Sequence, residues 1–230
     1  MPETAPSAAP MDRGNASGRA TRQLLLSTAE RLFAERGIDA VSLREIGQAA
    51  GQRNNAATGY HFGNKESLIL AVVEFRRSET NLGRAQALRA LEASGRTGDL
   101  NAVVDAFIHP FVDVSERAGS NYIGFLARLQ VERGGGYVAS EFGAPHSEAY
   151  HRIEKLLAAC LPDLPRRVLR HRMTLASTWV IHSLARMASA QQAGQRRMNG
   201  VGRKEFVADL VGMVAAMLAA PWPPPGRADD

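Results

Sequence analysis

The chain has 230 residues, of which 45% are apolar and 22% charged, the balance of an ordinary globular protein long enough to bury a core without covalent staples. Its single cysteine excludes an intramolecular disulfide and a structural zinc built on several thiolates, and no run reaches the roughly 18 uninterrupted apolar residues of a membrane-crossing helix. A formal charge of +5, from 28 basic and 23 acidic residues, permits nucleic-acid binding without demanding it.

In chain order, Met1–Gly18 is rich in Pro, Ala, Ser and Gly and is expected to be a disordered tail. It has no apolar segment of secretory type, so a cytoplasmic, soluble protein is expected. A first helix is predicted over Arg19–Arg36, where Leu25, Ala29, Leu32 and Phe33 share a face and Gly37 supplies the stop. A second, Leu43–Ala50, has a legible start: Ser42 and Glu45 form a capping box, and Val41 and Ile46 a hydrophobic staple. A third short helix is predicted over Asn55–Tyr60, capped by Asn54 or Asn55. After Phe62-Gly63-Asn64 a long helix should run from Lys65 to the low nineties. Further helices are predicted over Leu100–Arg117, kinked or divided by Pro110, and over Tyr122–Glu132, Pro145–Leu161, Arg166–Ala193 and Lys204–Ala219. Gly134-Gly135-Gly136 reads as a flexible loop and Pro221–Asp230 as a Pro-rich tail. Strand-like alternation is almost absent, so the fold class is all-α: a three-helix head over 19–66 and a larger helical domain over 67–220.

Two short helices around a glycine turn, after a longer amphipathic helix, make a helix-turn-helix. In that motif the second helix enters the major groove and the first crosses the phosphate backbone. Ser42 and its helix start offer donors to a phosphate, and Arg44 should face outward. Arg53, Asn54, Asn55 and Thr58 surround the start of the recognition helix; Arg reads guanine and Asn reads adenine bidentately. Tyr60, His61 and Lys65 are placed for phosphates, and Arg19 and Arg22 for phosphate or minor-groove contacts. Tyr60 also has a reading as partly core, packed on the first helix.

Three stretches carry a resemblance to the TetR family of transcriptional regulators: Ala29–Gly37 (AERLFAERG), Val41–Gly51 through its VSLREI and AAG elements, and Tyr60–Ile69 (YHFGNKESLI). The chain departs from the family pattern in two places: Gln52–Thr58 is one residue longer than usual, and Gly59 stands where an aromatic or aliphatic residue is common. The resemblance implies a homodimer with two DNA-binding heads, an effector-binding body, and an intersubunit bundle formed by the last two helices. The residues agree: Arg166–Ala193 carries one apolar stripe through Leu169, Met173, Ala176, Val180 and Leu184 and a second through Trp179, His182 and Arg186. The Lys204–Ala219 helix is apolar nearly all round, so it needs cover on more than one face.

A small-molecule effector is expected between helices of the body. Phe107, Phe111, Tyr122, Phe125, Leu126, Trp179 and His182 are the candidates for a mainly apolar pocket; ordinary packing or interface roles compete with that reading at each. The arginine-rich stretch 163–204 reads as a solvated face or dimer-rim pairs. No cofactor, metal site or catalytic set is expected. The six histidines show no ligand spacing, Cys160 reads as a structural thiol, and no phosphate-binding loop or nucleophile elbow occurs. The function read from the residues is thus a ligand-responsive dimeric repressor of a palindromic double-stranded operator. The alternatives are an all-helical enzyme with dispersed catalytic residues, and a dimeric interaction module whose head no longer reads DNA.

Overall fold

The computed structural model describes residues 13–52, 57–117, 119–134, 148–195 and 197–223. Its described elements are α1 (Arg13–Arg36), α2 (Leu43–Ala49), α3 (Ala57–Phe62), α4 (Lys65–Ala93), α5 (Leu100–Glu116) and α6 (Tyr122–Arg133). They continue with α7 (Glu148–Cys160), α8 (Arg166–Gln192), β1 (Arg197–Met198), β2 (Val201–Gly202) and α9 (Arg203–Ala219). The all-α class holds.

Side-chain caps set several helix starts. Ser42 accepts the Glu45 N–H at 3.2 Å while Glu45 accepts the Ser42 N–H at 2.8 Å, completing the capping box. Asn64 Oδ1 accepts from Ser67 N at 2.8 Å to open α4, and Asp99 Oδ1 accepts from Ala102 N at 3.2 Å to open α5. Each satisfies an amide that the helix leaves unpaired at its first turn.

Several boundaries differ from those the sequence suggests. The helix α1 begins at Arg13, inside the stretch read as a tail. Once a helix is nucleated, each added residue brings one backbone bond, so it extends through weak formers such as Asn15 and Gly18. The recognition helix α3 runs to Phe62 rather than Tyr60. Pro110 does not divide α5, which is one helix from Leu100 to Glu116 with Pro110 buried in it. At that point a Cβ on Gly83 of α4 would lie 3.6 Å from the Pro110 ring, so α4 and α5 pass closely there. Residues 53–56 and 135–147, with the predicted Asn54/Asn55 cap and the start of the Pro145 helix, lie outside the described residues.

The sequence reading also missed a two-stranded antiparallel hairpin between α8 and α9, pairing Arg197 with Gly202 and Met198 with Val201. Its turn is Asn199-Gly200, both at positive φ (52° and 85°). Asn-Gly is the preferred dipeptide for a two-residue hairpin turn, so the signal was present.

One continuous apolar cluster runs from Leu25 of α1 to Leu218 of α9. The long helix α4 leaves the head and packs on α5 and α7 of the body, α1 lies on both α4 and α6, and α9 packs on α5 and α8. The head therefore shares its core with the body. The Leu169–Met173–Ala176–Val180–Leu184 stripe of α8 is buried, while Trp179 and Arg186 of the second stripe are exposed. Among the described residues no helix is long and apolar enough to cross a membrane.

Candidate nucleic-acid interface and effector sites

The head is held in shape from several sides. Arg36 at the end of α1 pairs with Glu45 of α2 at 2.8 Å. With the Ser42 backbone and hydroxyl donors also on Glu45, its carboxyl is lowered to about 2. In α2, Gly47 has no room for a side chain: a Cβ there would meet Thr58 Oγ1 of α3 at 2.9 Å. That contact sets how closely the two helices of the motif approach.

The predicted DNA-contacting residues separate into distinct groups. Arg44 is exposed, and Tyr60 is 87% exposed, its ring edge-on to His61 at 5.4 Å. Tyr60 is therefore not a core residue. His61 is half-buried beside the Phe62 ring. Arg22 lies with its guanidinium 5.1 Å from the Phe62 ring centre, which holds it at the edge of α3, and Arg19 is exposed near it on α1. Lys65 Nζ donates to the Asp39 carbonyl at 3.3 Å and keeps two further donors.

Two residues do not fit the expectation. Thr58 is 1% exposed and packs on Gly47, and its hydroxyl has no hydrogen-bond partner among the described residues. It is a spacer between the helices rather than a surface contact. The Ser42 hydroxyl donates to Glu45 Oε2 at 2.8 Å, so its donor is committed to the cap. Arg53, Asn54 and Asn55 lie outside the described residues.

The joint between head and body was invisible in the sequence. Glu132 Oε2, at the end of α6, accepts the N–H groups of Ile38 and Asp39 at 2.8 and 2.9 Å. Gly37 permits this, since a Cβ there would lie 2.9 Å from Glu132 Oε1 and its φ is +89°. The neighbouring Arg133 donates to Asp39 at 2.5 Å and pairs with Glu66 of α4 at 3.3 Å. Arg133 accordingly holds the Asp39 carboxyl below its usual range. Deeper in the joint, buried Glu30 of α1 accepts from Arg76 of α4 at 2.6 Å and from the backbone N–H of Asn121 at 2.7 Å. These residues are 46 to 94 positions apart, and no local pattern announces them.

The seven effector candidates do not form one pocket. Phe107, Phe111, Tyr122, Phe125 and Leu126 are fully buried parts of the core. Phe125 stacks on Phe33 at 6.0 Å and joins α6 to α1, whereas Phe107 packs on Tyr150 at 6.3 Å and joins α5 to α7. Their 3.6-residue spacing reflects burial, which a helix uses equally for core and for cavity walls. Trp179 faces outward at 37% exposure. Only His182 lines one of the described clefts, at the meeting of α1, α6 and α8. Larger open grooves lie between α4, α5 and α9, about 800 Å³, and between α4 and α7, about 840 Å³. Among the described residues no cluster of metal-ligating side chains occurs.

Fold and head together define a helix-turn-helix protein with a helical body. Residues 25–72 match the family described as "Bacterial regulatory proteins, tetR family", and residues 105–217 match the "Tetracyclin repressor-like, C-terminal domain". The two matches together cover most of the chain, and it belongs to the TetR family. Among curated relatives it is 32% identical over 89 residues to the HTH-type transcriptional repressor AcnR of Corynebacterium diphtheriae, spanning 39% of this chain and 41% of that one. It is 39% identical over 66 residues to the HTH-type transcriptional regulator AcrR of Shigella flexneri, spanning 29% of each chain. The matches thus span less than half the length of these relatives. A solved TetR-family regulator from Streptomyces coelicolor A3 is 22% identical, with 93% of this chain and 99% of that one covered and a TM-score of 0.42.

Proposed function

We propose that this protein is a dimeric, ligand-responsive transcriptional regulator that represses from a palindromic double-stranded operator and is released by a small molecule. The observation that carries the reading is the head itself: a capped helix-turn-helix in which Arg44 of α2 and Tyr60 of α3 are exposed, with His61 beside Tyr60 and Arg22 against the Phe62 ring. Arginine and lysine there supply phosphate contacts and register, and the residues opening α3 supply base contacts. The repressor direction draws support from the name of one relative.

Dimerisation through α8 and α9 draws support from their outward apolar side chains, Leu175, Trp179 and Met213, which are 49%, 37% and 40% exposed. Exposed apolar groups on two helices that pack together favour a partner surface. A two-fold axis there requires half-sites about one helical turn apart, roughly 34–36 Å.

The test is selection of bound duplexes from a random pool at near-physiological salt. An enriched inverted repeat is the expected result. Arg44→Ala should then weaken binding across sequences and flatten the salt slope by about one unit. No enrichment from folded, dimeric protein overturns the reading.

A further inference from the structure

The recognition helix α3 is six residues long and carries a glycine in its interior, Gly59. A glycine weakens a helix, because it loses more backbone freedom on folding than any other residue. In a helix this short, few hydrogen bonds are present to offset that loss.

Two reasons account for other glycines of the chain. Gly51 and Gly63, on either side of α3, have φ of 68° and 75°, which a side chain resists. Within helices, a neighbour stands where the side chain would be. A Cβ on Gly47 would lie 2.9 Å from Thr58, one on Gly83 3.6 Å from Pro110, and one on Gly124 3.3 Å from Ala34.

Gly59 has neither reason. Its φ is not positive, and among the described residues a Cβ built on it meets no other part of the chain within 4 Å. Gly59 is exposed, and the residue after it, Tyr60, is 87% exposed. The buried side of α3 is taken by Thr58 and Phe62 instead. Gly18 of α1 and Gly212 of α9 are alike in meeting nothing, and Gly212 sits beside Met213 of the proposed subunit interface.

Alanine would therefore fit the free protein at position 59 and strengthen α3. The space it would fill is contested only by a molecule outside the chain. For a recognition helix that molecule is the duplex, whose major groove is about 12 Å wide. A helix with its side chains is about 10–12 Å across, so the fit is close. A bare backbone on one flank lets α3 sit nearer the base edges and the groove wall.

We propose that Gly59 is a positioning residue for operator binding: its missing side chain sets how deeply α3 seats in the major groove, and the bound duplex occupies the space a side chain would take. This rests on the DNA-binding reading above.

The test uses full-length protein and the duplex selected from the random pool. Gly59→Ala should raise the melting temperature by roughly 1–3 °C. It should nevertheless weaken the selected duplex by at least about tenfold, and the larger Gly59→Leu by at least about a hundredfold. Binding to a random-sequence duplex, which rests on phosphate charge rather than on seating in the groove, should change less than about threefold. A gain in stability joined to a loss of operator affinity is a result that a purely structural role for Gly59 does not give. Circular dichroism establishes that each variant is folded, and Gly59→Ser takes the place of the leucine variant if that one is not.

The proposal is overturned if Gly59→Ala binds the selected duplex as tightly as wild type. It is overturned if the alanine and the larger variant lose affinity equally, because a loss independent of size marks a need for a pliant α3 and not for space. A lower melting temperature in Gly59→Ala overturns it too, by placing the clash inside the chain. If wild type enriches no duplex, the DNA-binding reading itself fails and this proposal falls with it, a result that the selection gives before any variant is made.

Discussion

Glu132 Oε2 lies 2.8 Å from the backbone nitrogen of Ile38, 94 residues away in the chain. With the Asp39 N–H on the same oxygen, one side chain at the end of α6 fixes the turn between the first two helices of the head. The carboxylate supplies the partner for two turn amides, one on buried Ile38 and one on exposed Asp39. Charge-assisted bonds of this kind are worth more than neutral ones, about 1.5–3 kcal/mol.

Glu132→Ala is therefore expected to loosen the turn without unfolding the body. Hydrogen exchange at Ile38 and Asp39 should accelerate, and DNA affinity should fall with little change in the salt slope. Exchange read by mass spectrometry on a peptide spanning 37–42 checks it. Unchanged protection there would show that the carboxylate does not hold the turn.

The burial of Thr58 against Gly47 separates packing from recognition. Thr58→Val replaces a hydroxyl that lacks a partner among the described residues with a methyl group of similar size. It should leave DNA affinity within about twofold and hold or raise stability, since an unsatisfied buried hydroxyl costs about 1–3 kcal/mol. Gly47→Ala should instead destabilise the head by about 1–3 kcal/mol, because α2 and α3 must part to admit the methyl. Thermal melts and DNA titrations of the two variants check both. A large affinity loss in Thr58→Val with stability intact would return Thr58 to the DNA surface.

The Glu45 carboxyl, held to about 2 by its cap and Arg36, makes the head acid-sensitive in a defined window. A carboxyl whose folded pKa is depressed stabilises the protein fully above its unfolded value, about 4.5, and loses that contribution as pH falls through the folded value. The stability difference between wild type and Glu45→Gln should therefore be constant above about pH 4.5 and shrink toward pH 2. Denaturant titrations at several pH values measure it. A difference that does not vary with pH would mean that the capping box has no ionic component.

The outward side chains Leu175 of α8 and Met213 of α9 are expected to lie in the subunit interface. Leu175→Glu/Met213→Glu should give a folded monomer, because two unpaired carboxylates cannot be buried there without a large cost. DNA affinity should fall steeply, since each head alone contacts one half-site. Analytical ultracentrifugation checks the first point and a duplex titration the second. A stable dimer would place the interface elsewhere.

The amino-acid sequence by itself determined the helical class, most element boundaries and the helix-turn-helix. These depend on interactions within a few residues: Ser42 with Glu45, Asn64 with Ser67, an apolar residue every third or fourth place. The Asn199-Gly200 hairpin was legible by the same local logic and was missed. Only the tertiary structure decided which polar residues of the head face outward and which, like Thr58, are spacers, because that depends on the approach of α2 to α3. Only it could turn the apolar stripe of Phe107 and Phe111 into core rather than cavity wall, since periodicity reports burial and not what lies opposite. The joint made by Glu30, Arg76, Glu132 and Arg133 is of the same kind. It joins charges on separate helices, and Coulomb attraction and hydrogen bonding act across space with no record in local sequence order.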